Sequence, residues 1–302
     1  VLVCIAAAVV LVVVASGVDL LLVNGRIKHV PVTFPTGGTG TTYLILGSDS
    51  RGAIPTGIPK GAFGNATAVP GERADVVLIV HTDGSHTSIL AVPRDTLVSL
   101  TPGTFERVTL ALDDGPQAVV DGLCRTLHVA VDHLVIVNFR SFAAIVDELG
   151  GITVTLPYPL RDPITGLSLD HAGIVHLDGI EALALVRSRT PQWLVDGRWT
   201  TVPDGAVQRT EWSGRVLEAV LHAARAVGYG PVTLQSLAWA ASGSLTTDTG
   251  TDLATLWDLS RVTAPMHPLP MSSIANTIAV TPNASTFAEL SAAGFDGHCT
   301  SG

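Results

Sequence analysis

The chain alternates short, almost uncharged apolar runs with polar breaks rich in glycine and proline, and run length decides what each can form. Runs of about four to eight residues bounded by turn residues fit buried strands; longer ones with helical spacing fit helices. The stretch "TYLILGSDSR" predicts a strand over Tyr43–Leu46 that breaks at Gly47. In "ADVVLIVHTDGSHTSILAVPRDT" two apolar runs flank Asp83, Gly84 and Ser85, which predicts a hairpin. His133–Phe139 ("HLVIVNF") and "ITVTLP" read as strands, with "SFAAIVDELGG" between them as a short helix closing on Gly150. Leu110–Leu127 reads as a helix interrupted at Gly115 and Gly122, Asp178–Arg187 and Arg209–Val227 as further helices. The tail alternates short helices with "TIAVTP". Strands mixed with helices, one hairpin included, favour a mixed α/β layered fold over a purely parallel one. The short apolar runs imply strands covered on both faces.

The N-terminal pattern differs. Residues 1–18, "VLVCIAAAVVLVVVASGV", carry no charge and have the length of a membrane span. Asp19 then interrupts before "LLLV". Residues 1–23 are expected to be a transmembrane anchor truncated at its start, since the chain begins with Val. A cleaved signal peptide ending in "ASG" is the other reading. Either reading puts the rest of the chain outside the cytoplasmic membrane. The Pro-, Gly- and Thr-rich stretch up to Gly40 makes 24–41 a linker and leaves 42–302 as an extracytoplasmic domain.

Composition narrows the function classes. With 302 residues, 47% of them hydrophobic, the chain can bury one sizeable core. A net charge of −9 argues against nucleic acid as a partner. Of the 17 basic residues only Lys28 and Lys60 are lysines, so 15 are arginines. GC-rich coding would produce that bias; so would a need for bidentate grip on phosphate or carboxylate. Cys4 lies in the apolar segment, and Cys124 and Cys299 are either a disulfide pair or two buried thiols. The sequons at Asn65 and Asn283 are short patterns of little weight.

Candidate chemistry centres on "LDGIEALALVRSRTP", Leu177–Pro191. Asp178 and Glu181 form a capping-box pattern, so the helix starts there. Pro191 biases Thr190 towards extended geometry and ends it. In a continuing helix Arg187 and Arg189 would point about 200° apart, whereas in an extended segment they share a face. An anion site fits the second case, and cations complementing a helix dipole would account for one of the two. Three other segments carry acid–base pairs at strand ends: Asp49 and Arg51, Arg73 and Asp75, Arg94 and Asp95. Charges flank many strands because strands end at solvent. Together, however, carboxylates for a hard cation and arginines for the remaining charge suit a phosphate site with a divalent metal.

The blocks "YLILGSDSR", "RADVVLIV", "ILAVPRDT", "HLVIVNFRSFAAIVDELGGITVTLP" and "LDGIEALALVRSR", with the Arg209 helix, occur in the order and approximate spacing of the LytR–CpsA–Psr family. The chain resembles that family from about Thr42 to Val227. The resemblance implies a three-layer α/β/α sandwich around a mixed central sheet, with an apolar groove for a polyprenyl tail. It implies a membrane-anchored, extracytoplasmic phosphotransferase that links a glycopolymer from a polyprenyl-pyrophosphate carrier to peptidoglycan through a phosphodiester. Teichoic acids, capsular polysaccharides and arabinogalactan are the polymer types of the family. By the same resemblance Asp49 and Asp75 would coordinate Mg²⁺, and Arg73, Arg94, Arg187, Arg189 and Arg209 would bind the pyrophosphate.

The chain departs from the family pattern after Asp204. Ala206 replaces a second acidic residue, and Trp212, Ser213 and Gly214 stand near where the family shows glutamines. Asp162 sits at a familiar position with no role assigned to it, and the general base is unassigned, with Asp75 and Asp95 as the candidates. A pyrophosphatase acting on the same carrier and a non-catalytic glycopolymer-binding protein are the alternatives. His81, His86, His128, His133, His171 and His176 show no zinc-like spacing, and His133 reads as a satisfied or exposed residue at a strand start. Trp193, Trp199 and Trp212 follow the arginine pair; packing is the plainer reading and sugar stacking the other.

Overall fold

The computed structural model describes residues 19–50, 71–188, 190–202, 205–227, 231–243, 245–262 and 264–300. The apolar segment 1–18, Arg51, the sequon at Asn65, Arg189 and Asp204 lie outside the described residues. Among the described residues no helix is long and apolar enough to cross a membrane. The described residues divide into two compact units: one from 19–48, 73–137 and 242–300, the other from 49–50, 71–72 and 138–241.

The first unit is built on a seven-stranded mixed sheet, order β1-β14-β7-β2-β3-β4-β15. Its strands are β1 (Lys28–Val30), β2 (Thr41–Ser48), β3 (Ala74–Thr82), β4 (Thr87–Ala91), β7 (His133–Asn138), β14 (Leu245–Asp248) and β15 (Met266–Pro268). β2, β3 and β4 are antiparallel neighbours, whereas β1 runs parallel to β14 and β15 parallel to β4. The sheet is therefore mixed, as the hairpin signal required. Lys28–Val30, in the stretch that reads as linker, is one of its strands.

The hairpin between β3 and β4 forms because Asp83 caps its own turn. Its Oδ1 accepts from the backbone N–H of Ser85 at 2.8 Å and of His86 at 2.7 Å. Those bonds hold the Asp83 carboxyl well below the usual carboxylate range. The apolar sides of these strands bury Leu44, Leu46, Val77, Ile79 and Leu90 in one core with Val119, Val120, Leu123 and Leu127. The last four come from α1 (Pro116–Leu127), and each such burial contributes about 1.5–3 kcal/mol. Gly115 does break the helix: it sits at φ +99° just before Pro116 at the first turn. Gly122 does not, because it lies inside α1, where an added Cβ would come 2.9 Å from Val98 Cγ2. Val98 belongs to a second hairpin, β5 (Leu97–Thr101) with β6 (Thr104–Arg107). Cys124 and Cys299 are joined in a disulfide, which settles the alternative left by the sequence.

The second unit begins at the end of β7. There Asn138 caps α2 (Phe139–Glu148), accepting from the N–H groups of Arg140 and Ser141. Phe139, expected in the strand, is the first helical residue for that reason. β8 (Ile152–Leu156) pairs with β11 (Gly173–Leu177), and β9 (Leu160–Asp162), β10 (Leu167–Leu169), β12 (Gln192–Val195) and β13 (Arg198–Thr201) form a four-stranded antiparallel sheet. α3 (Gly179–Arg187) starts with the expected capping box between Asp178 and Glu181. α4 (Gly205–Val227) contributes Trp212 and Val216 to a core with Val146, Ile152, Leu156, Leu160, Leu177 and Leu185. Trp212 is 1% exposed, so packing is its role.

α3 approaches α2 closely enough that only glycine fits at its start. A Cβ on Gly179 would lie 2.2 Å from the carbonyl oxygen of Ala143. Gly179→Ala is therefore expected to cost about 1–3 kcal/mol, as overpacking does. A denaturant titration measures this, and an unchanged midpoint would contradict the close packing.

Candidate functional site

The charged residues at the sheet ends of the first unit form a linked chain. β3 carries Asp75 near its start, and the turn after β4 carries Arg94 and Asp95. Arg94 Nη1 donates to Asp75 Oδ1 at 2.8 Å, and its Nε lies 3.4 Å from Asp95 Oδ2. Asp95 Oδ1 in turn accepts from Arg107 Nη1 at 2.9 Å. All four side chains are half-buried. The turn is fixed from below as well, because the N–H of Thr109 donates to the Arg94 carbonyl at 3.0 Å. Three of the expected residues, Asp75, Arg94 and Asp95, thus come together. Arg107 was missed: in "TFERV" nothing separates it from other surface arginines, and only the β5–β6 hairpin brings it to Asp95. Arg73, one residue before β3, is half-buried and has interactions of its own.

In the second unit, α3 ends at Arg187 and the chain turns extended at Ser188, with φ −60° and ψ 120°. That is the break expected ahead of Pro191. The Arg187 guanidinium lies over the Phe139 ring, 4.4 Å from its centroid, a cation–π contact that limits where the charge can go. Ser188 and Thr190 both bond to the buried Asp162. Ser188 Oγ donates to Asp162 Oδ2 at 2.7 Å and the Thr190 N–H donates to the same oxygen at 3.2 Å. Burial works to raise the Asp162 carboxyl, but Ser188, Ile164, Thr190 and Thr165 together outweigh it and hold it below its ordinary value.

Asp49, directly after β2, is 6% exposed and belongs to this unit. Arg209 lies in α4, and its side chain is outside the described ones. Among the described residues no group of three or more His, Cys, Asp or Glu side chains is gathered as a metal site. His81, 3% exposed, pairs through Nδ1 with Thr42 Oγ1 at 3.1 Å, and burial keeps its pKa lowered. Asn283 is not free surface: its Oδ1 caps the helix Ala284–Ala292 and its Nδ2 donates to Ser272.

Arginines at strand ends can grip a phosphate anion, and here Arg94 and Arg107 are each paired with a carboxylate. The sequence pattern of the LytR_cpsA_psr family matches residues 25–284, and the chain belongs to that family. Among solved structures it is similar to a LytR-Csp2A-Psr enzyme from Actinomyces oris. The two share 34% identity and a TM-score of 0.76, over 91% of this chain and 99% of the other. Among curated relatives it is similar to the polyisoprenyl-teichoic acid–peptidoglycan teichoic acid transferase TagU of Bacillus subtilis. That match is 36% identical over 150 residues, 49% of this chain and 44% of the relative. The probable cell wall biosynthesis protein LcpB of Corynebacterium glutamicum is 28% identical over 167 residues, 54% of this chain and 40% of the relative. The chain spans about half the length of the curated relatives it matches, or less.

Proposed function

We propose that the protein is a phosphotransferase that moves a glycopolymer from a polyprenyl-pyrophosphate carrier onto peptidoglycan, forming a phosphodiester. The observation that carries this reading is the Asp75–Arg94–Asp95–Arg107 chain in a member of this family. The name of TagU, with transfer of teichoic acid to peptidoglycan in it, supports the same class of reaction. In this reading a sugar hydroxyl of peptidoglycan attacks the phosphorus nearer the polymer. The bond from that phosphorus to the bridging oxygen breaks, polyprenyl phosphate leaves, and the hydroxyl proton passes to solvent. Such transfers depend on positioning and charge neutralisation more than on covalent chemistry by the protein.

Arg73, Arg94, Arg187, Arg189 and Arg209 would bind the pyrophosphate and neutralise charge on the leaving group. Asp75 would hold Arg94 in register for that task. The donor set also fits Mg²⁺, which takes one or two carboxylates and fills its remaining positions with water and phosphate oxygens. Asp75 has an oxygen besides the one that accepts from Arg94 and would be one ligand; by the family resemblance Asp49 would be the other. Mg²⁺ held there would neutralise phosphate charge. The apolar groove for the prenyl tail, the anchor formed by residues 1–23 and an extracytoplasmic location belong to the same proposal. The disulfide supports that location, because such bonds persist in oxidising compartments.

The test is incubation with a synthetic polyprenyl-pyrophosphate glycan, a peptidoglycan oligomer and Mg²⁺, read by mass spectrometry. A phosphodiester-linked product is expected. Release of phosphorylated glycan to water with no linked product would make the protein a pyrophosphatase. Carrier binding with no turnover would make it a binding protein, and the loss of an acidic residue at Ala206 would then be the first place to look.

A further inference from the structure

We propose that Asp162 is a positioning residue that holds Ser188 and Thr190 just beyond α3 and acts on anion binding by the arginines next to them in sequence. The inference rests on the pyrophosphate reading above. Asp162 ends β9 and is 0% exposed. A buried carboxylate is costly unless its oxygens are well supplied with donors. Part of that supply is local: the Ile164 N–H donates to Oδ1 at 2.9 Å, the bond of an ordinary Asx turn in "DPIT". A turn needs no more than that.

Three further bonds reach across the sequence. Ser188 Oγ is 2.7 Å from Oδ2, the Thr190 N–H 3.2 Å from Oδ2 and Thr190 Oγ1 3.4 Å from Oδ1. They therefore tie Ser188 and Thr190 to the end of β9. Ser188 is itself fully buried, so this grip is shielded from competing water. Helix electrostatics do not explain the placement. Asp162 meets α3 at its C-terminal end, where the helix dipole disfavours negative charge. What the carboxylate does there is hold a segment that leaves the helix without a glycine cap and carries an arginine on each side of Ser188. With Arg187 stacked on Phe139 and Ser188 and Thr190 tied to Asp162, the segment is constrained at three successive described residues.

Asp162→Asn preserves size but replaces one acceptor with a donor facing other donors. The measurement is the Kd for inorganic pyrophosphate with Mg²⁺ by calorimetry, with near-ultraviolet circular dichroism confirming the fold. The Kd is expected to rise about 10–100-fold, since small misplacement of binding groups has effects of that size. In an Arg189→Ala background the same substitution should add little, because both changes disable one device. A purely structural Asp162 would instead give a folded variant with unchanged Kd, or a loss that is additive with Arg189→Ala; either overturns the inference. Should Asp162→Asn fail to fold, Ser188→Ala removes a single donor and is expected to raise Kd in the same non-additive way. An unchanged or additive Kd there also overturns it. A wild-type protein that binds no pyrophosphate overturns the reading of the site and this inference with it. Binding by wild type that the variants leave intact overturns the inference alone.

Discussion

Asp75→Ala is expected to slow glycan transfer about 10²–10³-fold, the loss usual when one pre-positioned electrostatic group is removed from a site. Thermal stability should scarcely change. The Asp75–Arg94 pair is half-exposed on both sides, and such pairs contribute about 0–1 kcal/mol to folding. The two readouts therefore separate a role in the site from a role in the fold. Without Asp75, the ion pair left to Arg94 among the described residues is its longer contact to Asp95, at 3.4 Å, so its guanidinium is held less firmly. A metal-ligand role predicts more: Asp75→Asn should be partly rescued by raised Mg²⁺, because a neutral amide oxygen still coordinates weakly. Single-turnover transfer followed by mass spectrometry, beside thermal melts, decides the matter. Activity within threefold of wild type would remove Asp75 from the site.

Opening the disulfide should have the largest effect on stability. Cys124 and Cys299 are 175 residues apart, and the chain-entropy relation for a loop of that length gives about 5 kcal/mol as an upper figure. Measured losses run lower, about 2–5 kcal/mol, which for a chain of this size corresponds to a fall in Tm of roughly 3–8 °C. The bond also anchors the C-terminal segment. The next residue, Thr300, pairs with Thr36 through N–H···O bonds of 3.0 and 3.2 Å, and a Cβ on Gly37 would collide with the His298 carbonyl. The Cys124→Ala/Cys299→Ala protein and wild type with reductant should melt together, both below oxidised wild type. Coincident curves for oxidised and reduced protein would refute this weight for the bond.

Local signals in the sequence translated into structure because they need only a few neighbouring residues. The Asp83 turn, the break at Gly115 and the Asp178–Glu181 capping box are all of this kind. The β12–β13 hairpin is equally local, although it is not among the expected elements. "QWLVDGRWTT" holds an Asp-Gly turn, with Asp196 at φ 49° and Gly197 at φ 74°, between two runs that pair residue by residue. At the site, the strand-end positions of Asp75, Arg94 and Asp95 pointed to one cluster, since the β3–β4 pairing follows from the hairpin. Arg107 and Asp162 could not be placed in that way. Each acquires its meaning from a partner on another element, 12 residues away for Arg107 and 26 for Asp162, and nothing in the spacing announces those contacts.

The strand order of the central sheet has a consequence for biogenesis. β14 lies between β1 and β7, and β15 forms the far edge beside β4, although both come from the last fifth of the chain. A polypeptide synthesised from its N-terminus cannot close this sheet until about residue 268 has emerged, whereas residues 138–241 of the second unit are by then complete. The edges of β7 and β4 stay open in the meantime, and unpaired edges invite wrong partners. The nascent chain therefore passes through a stage in which the inserted unit can form while its host is still waiting for its last strands.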